Sequence, residues 1–168
     1  MTEAWRPRED LSTAALMVVL LALIAPVVGL LWAHVSPKLS VAALVGGSES
    51  PFRAQIGDDA WFLLLTALAG ATTGWFVTAV GGRGLGVLIG LVLGGGVASA
   101  VAARVGYLAE RGHTVAALRA RGITPRPDLL DIVDFKLRAV GVATAWSIAA
   151  VLVFVIIVAL RGEQRSLP

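Results

Sequence analysis

The chain predicts an all-α integral membrane protein with four transmembrane helices, and three observations predict it. The 168 residues are 57% hydrophobic and only 15% charged, with a mean hydropathy of +0.84, a composition outside the soluble range. Four apolar stretches are long enough to cross a bilayer, which takes about 20 residues at 1.5 Å rise over a core of about 30 Å. Small residues recur inside them at helical spacing, as they do where membrane helices approach closely.

The four stretches are 11–35, 61–80, 85–105 and 139–160. None contains an acidic residue, and bases come only at the ends, as Arg104 and Arg161 do. Together they take more than half of the chain and leave no room for a second domain with its own core. The chain therefore reads as one membrane domain. The first stretch is too long for the apolar part of a secretory leader, and its flank mixes Glu3, Glu9 and Asp10 with Arg6 and Arg8, so it reads as a retained helix. The absence of cysteine removes disulfides and thiolate metal sites from consideration.

In the first helix Pro26 deletes one backbone donor and frees the carbonyl of Ala22, which predicts a kink. Ser36-Pro37 stops the helix. Loop 36–60 opens with the apolar run 39–45, expected to lie along the interface. Gly46-Gly47-Ser48-Glu49-Ser50-Pro51 then breaks any regular element. Asp58 or Asp59 is expected to cap the second helix, with Trp61 at the headgroups.

Helices two and three are joined by Gly81-Gly82-Arg83-Gly84, which predicts a tight antiparallel hairpin. If the turn centres between Gly82 and Arg83, facing positions sum to about 165. Gly74 then meets Gly90, Gly70 meets Gly94 or Gly95, and Thr66 meets Ala98 or Ser99. The third helix carries a small residue at every fourth position: Gly82, Gly86, Gly90, Gly94, Ala98, Ala102 and Gly106. Such a row drifts about 40° per step at 3.6 residues per turn. Its first half is therefore assigned to the hairpin, and 98–106 to helix one, helix four or another subunit.

Loop 106–138 contains a short helix, 113–121, closed by Gly122, and Thr124-Pro125-Arg126-Pro127 prevents continuation. Asp128 resembles an N-cap with Asp131 at the third position, opening an amphipathic stretch. No strong break separates that stretch from helix four, so one helix over 128–160 is a further expectation. Both long loops fall on the same membrane face.

Orientation pulls two ways. Arg6, Arg8, Arg83, Arg161 and Arg165 are five of the fourteen bases, which leaves nine for the other side and puts the long loops in the cytoplasm by the positive-inside rule. Against that, Arg6 and Arg8 outweigh Lys38 beside the first helix.

A wider pattern bears on this. A first helix ending in Leu31-Trp32 is followed by Ser48-Glu49-Ser50. Gly57-Asp58-Asp59-Ala60-Trp61-Phe62 then leads into Leu68-Ala69-Gly70, and Leu137-Arg138-Ala139 precedes a fourth helix bearing Trp146. Over most of the chain this resembles a family of uncharacterised four-helix membrane proteins of actinobacteria. The resemblance implies cytoplasmic N- and C-termini and both long loops outside. It implies no activity.

The candidate functional face is the loop side, with His34, Glu49, Asp58, Asp59, His113, Asp128, Asp131 and Asp134. Imidazole and carboxylate suit zinc or manganese, but no HExxH and no histidine pair at helical spacing supports a metal, and none is assigned. Gly84-Leu85-Gly86-Val87-Leu88-Ile89-Gly90 follows no strand and is read as packing, so no cofactor is assigned. Ser99 and Ser147 lie in apolar helices without a base. Scattered arginines without an aromatic platform do not make a nucleic-acid site. The residues assigned to helix packing are Gly70, Gly74, Gly86, Gly90, Gly94, Ala98 and Ala102.

No ionisable residue lies in mid-span, where ion paths and proton relays usually carry one. The expected role is a non-enzymatic accessory or scaffold subunit of the cell envelope, with the lipid bilayer and a membrane-protein partner or a second copy as its partners. The alternatives are an oligomeric small-molecule or ion permease lined by Thr66, Thr72, Thr73 and Thr78, and a membrane enzyme using the acidic loop residues.

Overall fold

The computed structural model of the protein describes residues 7–37, 51–127 and 135–163. Among the described residues it has four long helices and no strand. They are α1 (Pro7–Val35), α2 (Pro51–Ala79), α3 (Leu85–Ala120) and α4 (Ala145–Glu163), the last preceded by a 3-10 turn at Val140–Thr144. Each of the four is long and apolar enough to cross a membrane.

α1 opens on Pro7, whose fixed φ suits a first helical position, and runs through Pro26 without interruption to its stop before Ser36-Pro37. α2 begins at Pro51, ten residues before the apolar run, so Asp58 and Asp59 lie inside the helix and cap nothing there. The proline supplies the start that the aspartates were expected to supply.

α3 has 36 residues, about 54 Å at 1.5 Å each, roughly 24 Å more than crossing a hydrocarbon core of about 30 Å would take. The expected separate helix over 113–121 is its last turns. Gly106 does not break it, because that glycine is a contact point, open on the side where Trp32 and the carbonyl oxygen of Gly29 pack. The helix closes at Gly122 with φ +70°. The Gly122 N–H donates to the Arg119 carbonyl at 2.9 Å and the Ile123 N–H to that of Leu118 at 3.1 Å, a Schellman closure in which glycine avoids the left-handed penalty.

A single helix over 128–160 does not form. Residues 135–139 are non-helical and the 3-10 turn follows them. Residues 39–45 and 128–134 lie outside the described residues.

The packing differs most from expectation. α2 and α3 are joined by a short turn with Gly81 at φ +85°, yet they touch at only a few residues. The extensive interfaces are α1 with α3 and α2 with α4. Gly86 lies on Asp10, Gly90 on Ala14 and Met17, Gly94 on Val18 and Leu21, and Gly29 on Ala102. Numbers rise together, so α1 and α3 are parallel. Gly70 lies on Trp146 and Gly74 on Ala150, so α2 and α4 are parallel too. The hairpin register that paired Gly74 with Gly90 and Gly70 with Gly94 is therefore corrected: all four glycines have other partners. The first half of the α3 row is thereby moved from the hairpin to α1, while the 98–106 half meets helix one, one of the partners expected for it: Ala102 lies on Gly29 and Gly106 on Trp32. A partner that follows the inclined i±4 ridge instead of the axis keeps meeting the row as it drifts.

Polar groups fasten both pairs at the turn end. Asp10 on α1 accepts the Gly86 N–H at 3.2 Å, so a carboxylate meets the free donors and positive dipole end of α3. Arg161 on α4 donates from Nη1 to the Thr78 carbonyl at 2.7 Å, a second donor to an acceptor that also takes the Gly81 N–H at 3.3 Å where α2 ends. Between α3 and α4, the Ser147 hydroxyl donates to the Val92 carbonyl at 2.7 Å, beside Gly95. The core is centred on the fully buried Trp32, Phe62, Leu91 and Trp146.

Candidate functional site

The opposite end of the bundle, where α1 stops and α2 starts, holds a buried polar junction built around Trp32. The indole is fully buried. Its ring meets Phe62 edge-on, with centroids 4.9 Å apart, and Phe135 at 4.1 Å. Its Nε1–H donates to the backbone carbonyl of Asp58 at 2.8 Å. A buried tryptophan needs such a partner for its one polar atom, and α2 supplies it only because the helix begins early enough to carry Asp58 past α1. Gly57 makes room for this approach: a Cβ there would stand 2.7 Å from Cγ of Pro37.

The two adjacent aspartates have different surroundings. Asp59 accepts the backbone N–H groups of Arg138 and Ala139 at 3.1 and 3.0 Å. It thus ties down the non-helical segment that leads into the 3-10 turn and α4, and the carboxylate cap expected at the start of the second helix is not formed. Asp58 is 8% exposed, and its Oδ1 is buried with no hydrogen bond. Its charged neighbours are Asp59, Glu110 and Arg138. Glu110 is itself 9% exposed and stands on the extension of α3. Nearby, Ser36 is buried with its hydroxyl oxygen unpartnered. Buried polar atoms are normally hydrogen-bonded, so Asp58 and Ser36 leave unsatisfied polar atoms buried at this end of the bundle.

Of the face expected to be functional, the structure brings together Asp58 and Asp59 only. His34 and His113 are exposed, the first at the end of α1 and the second far out on α3. Glu49, Asp128, Asp131 and Asp134 lie outside the described residues. Among the described residues no group of three His, Asp or Glu side chains has the geometry of a metal site. Trp32, Ser36, Glu110, Phe135 and Arg138 were not expected on the functional face; Trp32 and Arg138 entered only through the family-like pattern and Ser36 only as a helix stop. Glu110 had a local signal, as the lone acid of α3.

Inside the spans, the hydroxyls of Thr66, Thr72, Thr73 and Thr78 each donate to a carbonyl three or four residues back along α2. They are occupied by their own helix. The buried Ser99 hydroxyl and the Trp146 Nε1 make no hydrogen bond.

No family model, curated protein or solved structure matches the chain.

Proposed function

We propose that the chain is a multi-pass membrane protein acting as a non-enzymatic accessory or scaffold subunit of the cell envelope, with both termini in the cytoplasm. The observation that supports insertion is a continuous apolar exterior. Leu23 and Val27 on α1, Leu68 and Phe76 on α2, Leu93 on α3 and Leu152 on α4 are all more than half exposed. An apolar surface that covers every helix far exceeds the patch a water-soluble monomer carries, and it fits the only solvent that does not penalise it. Trp61 and Trp75, exposed near opposite ends of the α2 span, suit the two interfaces.

The scaffold reading rests on how the polar groups are used. Asp10, Asp59 and Arg161 fasten helices to each other, and the α2 threonines bond their own backbone, so the polar chemistry serves rigidity. A rigid bundle with a long basic extension on α3 suits a role in holding a partner. The cytoplasmic placement of the termini rests on Arg6 and Arg8 before the first apolar stretch against Lys38 after it.

Because the chain lacks cysteine, single cysteines report orientation directly. A membrane-impermeant thiol reagent applied to whole cells is expected to label Ile56→Cys and His113→Cys, both exposed and on the loop side, and to spare Arg83→Cys in the turn. The reverse pattern overturns the orientation. A stoichiometric partner on purification from native membrane supports the scaffold role, and flux through proteoliposomes of the purified protein defeats it.

A further inference from the structure

We infer that Arg104, Tyr107 and Arg111 on α3 form a clamp for the headgroup of an anionic phospholipid. The three positions share one helix face, at i, i+3 and i+7. Both guanidiniums stack on the same ring, each with Cζ 5.5 Å from its centroid. Two like charges are thus held against one tyrosine ring. Neither arginine has a carboxylate partner among the described residues, although both are exposed.

Their height on the helix identifies the ligand. The apolar run 85–105 is about 31 Å long at 1.5 Å per residue, the thickness of the hydrocarbon core. Tyr107 and Arg111 then stand about 3 and 9 Å beyond its edge. That is the depth of the phosphate layer, where tyrosine and arginine concentrate. Below the clamp, Leu93, Val97 and Ala100 form an exposed apolar wall on α3, and exposed Leu108 lies between the two arginines. One lipid molecule matches both parts, its acyl chain along the wall and its phosphodiester beside the tyrosine ring, within reach of both guanidiniums. A soluble acidic protein would match only the upper part. Arginine suits this role because its planar donors pair with phosphate oxygens.

The inference rests on the membrane reading, and the test separates the two. Full-length protein in neutral detergent is titrated with phosphatidylglycerol or phosphatidylcholine, and the thermal unfolding midpoint is followed. The midpoint is expected to rise with phosphatidylglycerol well above the phosphatidylcholine control. Each interfacial arginine contributes about fivefold in affinity for an anionic surface. In Arg104→Gln/Arg111→Gln the half-maximal phosphatidylglycerol concentration therefore rises by about tenfold or more. Arg104→Lys/Arg111→Lys retains part of the effect, and Tyr107→Phe, which keeps the ring, retains most of it. An unchanged lipid preference in the Gln pair overturns the clamp, as does a wild type that does not distinguish the two lipids. If inorganic phosphate with phosphatidylcholine reproduces the full shift, the site reads free phosphate, and the lipid assignment fails. A wild type that is soluble without detergent and does not float with phosphatidylcholine vesicles defeats the membrane reading itself. Flotation without lipid preference defeats only the clamp.

Discussion

An alanine series through the glycines of α2 and α3 tests the helix pairing quantitatively, because each glycine meets a different obstacle. Gly→Ala in a helix interior gains about 1 kcal/mol of helix propensity wherever the new methyl has room. Gly96 has nothing within 4 Å of the added Cβ, so Gly96→Ala keeps the whole gain. At Gly94 the nearest atom is Cδ1 of Leu21 at 2.9 Å, with Cα of Val18 at 3.3 Å. A leucine terminus can swing aside, so gain and cost nearly cancel. At Gly90 the obstacles are Cβ of Met17 at 2.8 Å and Cα of Ala14 at 3.2 Å, which no rotamer removes. At Gly74 the methyl falls on the backbone carbonyl of Ala150, and α2 and α4 must part.

Overpacking of a tight interface costs about 1–3 kcal/mol, and a carbonyl that cannot move puts Gly74 at the top of that range. Set against the propensity gain, Gly74→Ala loses about 2 kcal/mol net, and Gly96→Ala gains about 1. For a chain of this size 1 kcal/mol moves the midpoint by about 2–4 °C. The series should thus run from roughly 2–4 °C above wild type at Gly96, through near zero at Gly94 and a small loss at Gly90, to roughly 4–8 °C below at Gly74. The assay is thermal unfolding in detergent, followed by the fluorescence of the five tryptophans. A flat series, or one in which Gly96→Ala is the most damaging, would refute the pairing, the latter because a second copy must then cover Gly96.

Helix pairing can also be read chemically. The built Cβ of Gly90 lies 2.8 Å from that of Met17, close to the 3.5–4.5 Å of a disulfide after a small shift, so Met17→Cys/Gly90→Cys should cross-link on mild oxidation. Gly74→Cys/Gly90→Cys, the pair that a packed hairpin would join, should not, and the opposite outcome restores the hairpin. Asp59→Ala leaves the Arg138 and Ala139 N–H groups without their acceptor and should cost about 1–2 kcal/mol, the range of a lost cap. Hydrogen exchange at those two amides is expected to speed up in Asp59→Ala, with less change in Asp59→Asn, which keeps one acceptor oxygen. Unaltered exchange in the alanine variant would mean that Asp59 does not hold the start of α4.

What was legible in the sequence and what was not divide along a physical line. The four helices follow from hydropathy, because the bilayer sets a length that an apolar run either meets or misses. Partner choice has no such ruler. A row of small residues marks where a backbone can come close and is silent on whose backbone comes. Gly74 and Gly90 matched by turn arithmetic, yet a short turn obliges two helices only to start near each other, and on the proposed membrane reading lipid supplies no hydrophobic force to close the gap. What decided the pairing was contact between helices that run parallel and are therefore never joined by a short turn. The turn-end fasteners tell the same story over long separations: Asp10 reaches Gly86, and Arg161 reaches Thr78. The loop-side junction was hidden for a related reason. Asp58-Asp59 before an apolar run has the local signature of a cap, but the carboxylate of Asp59 instead accepts the N–H groups of Arg138 and Ala139 in a non-helical segment 79 and 80 residues away. A cap is defined by geometry in space, and Pro51 had already started the helix, which left Asp59 turned toward another segment and Asp58 buried against α1. The Arg104 and Arg111 stack is the converse case. Its i, i+3, i+7 spacing around Tyr107 was in the sequence throughout, and it became readable only once α3 proved to continue through Gly106, since a loop starting there would have scattered the three side chains.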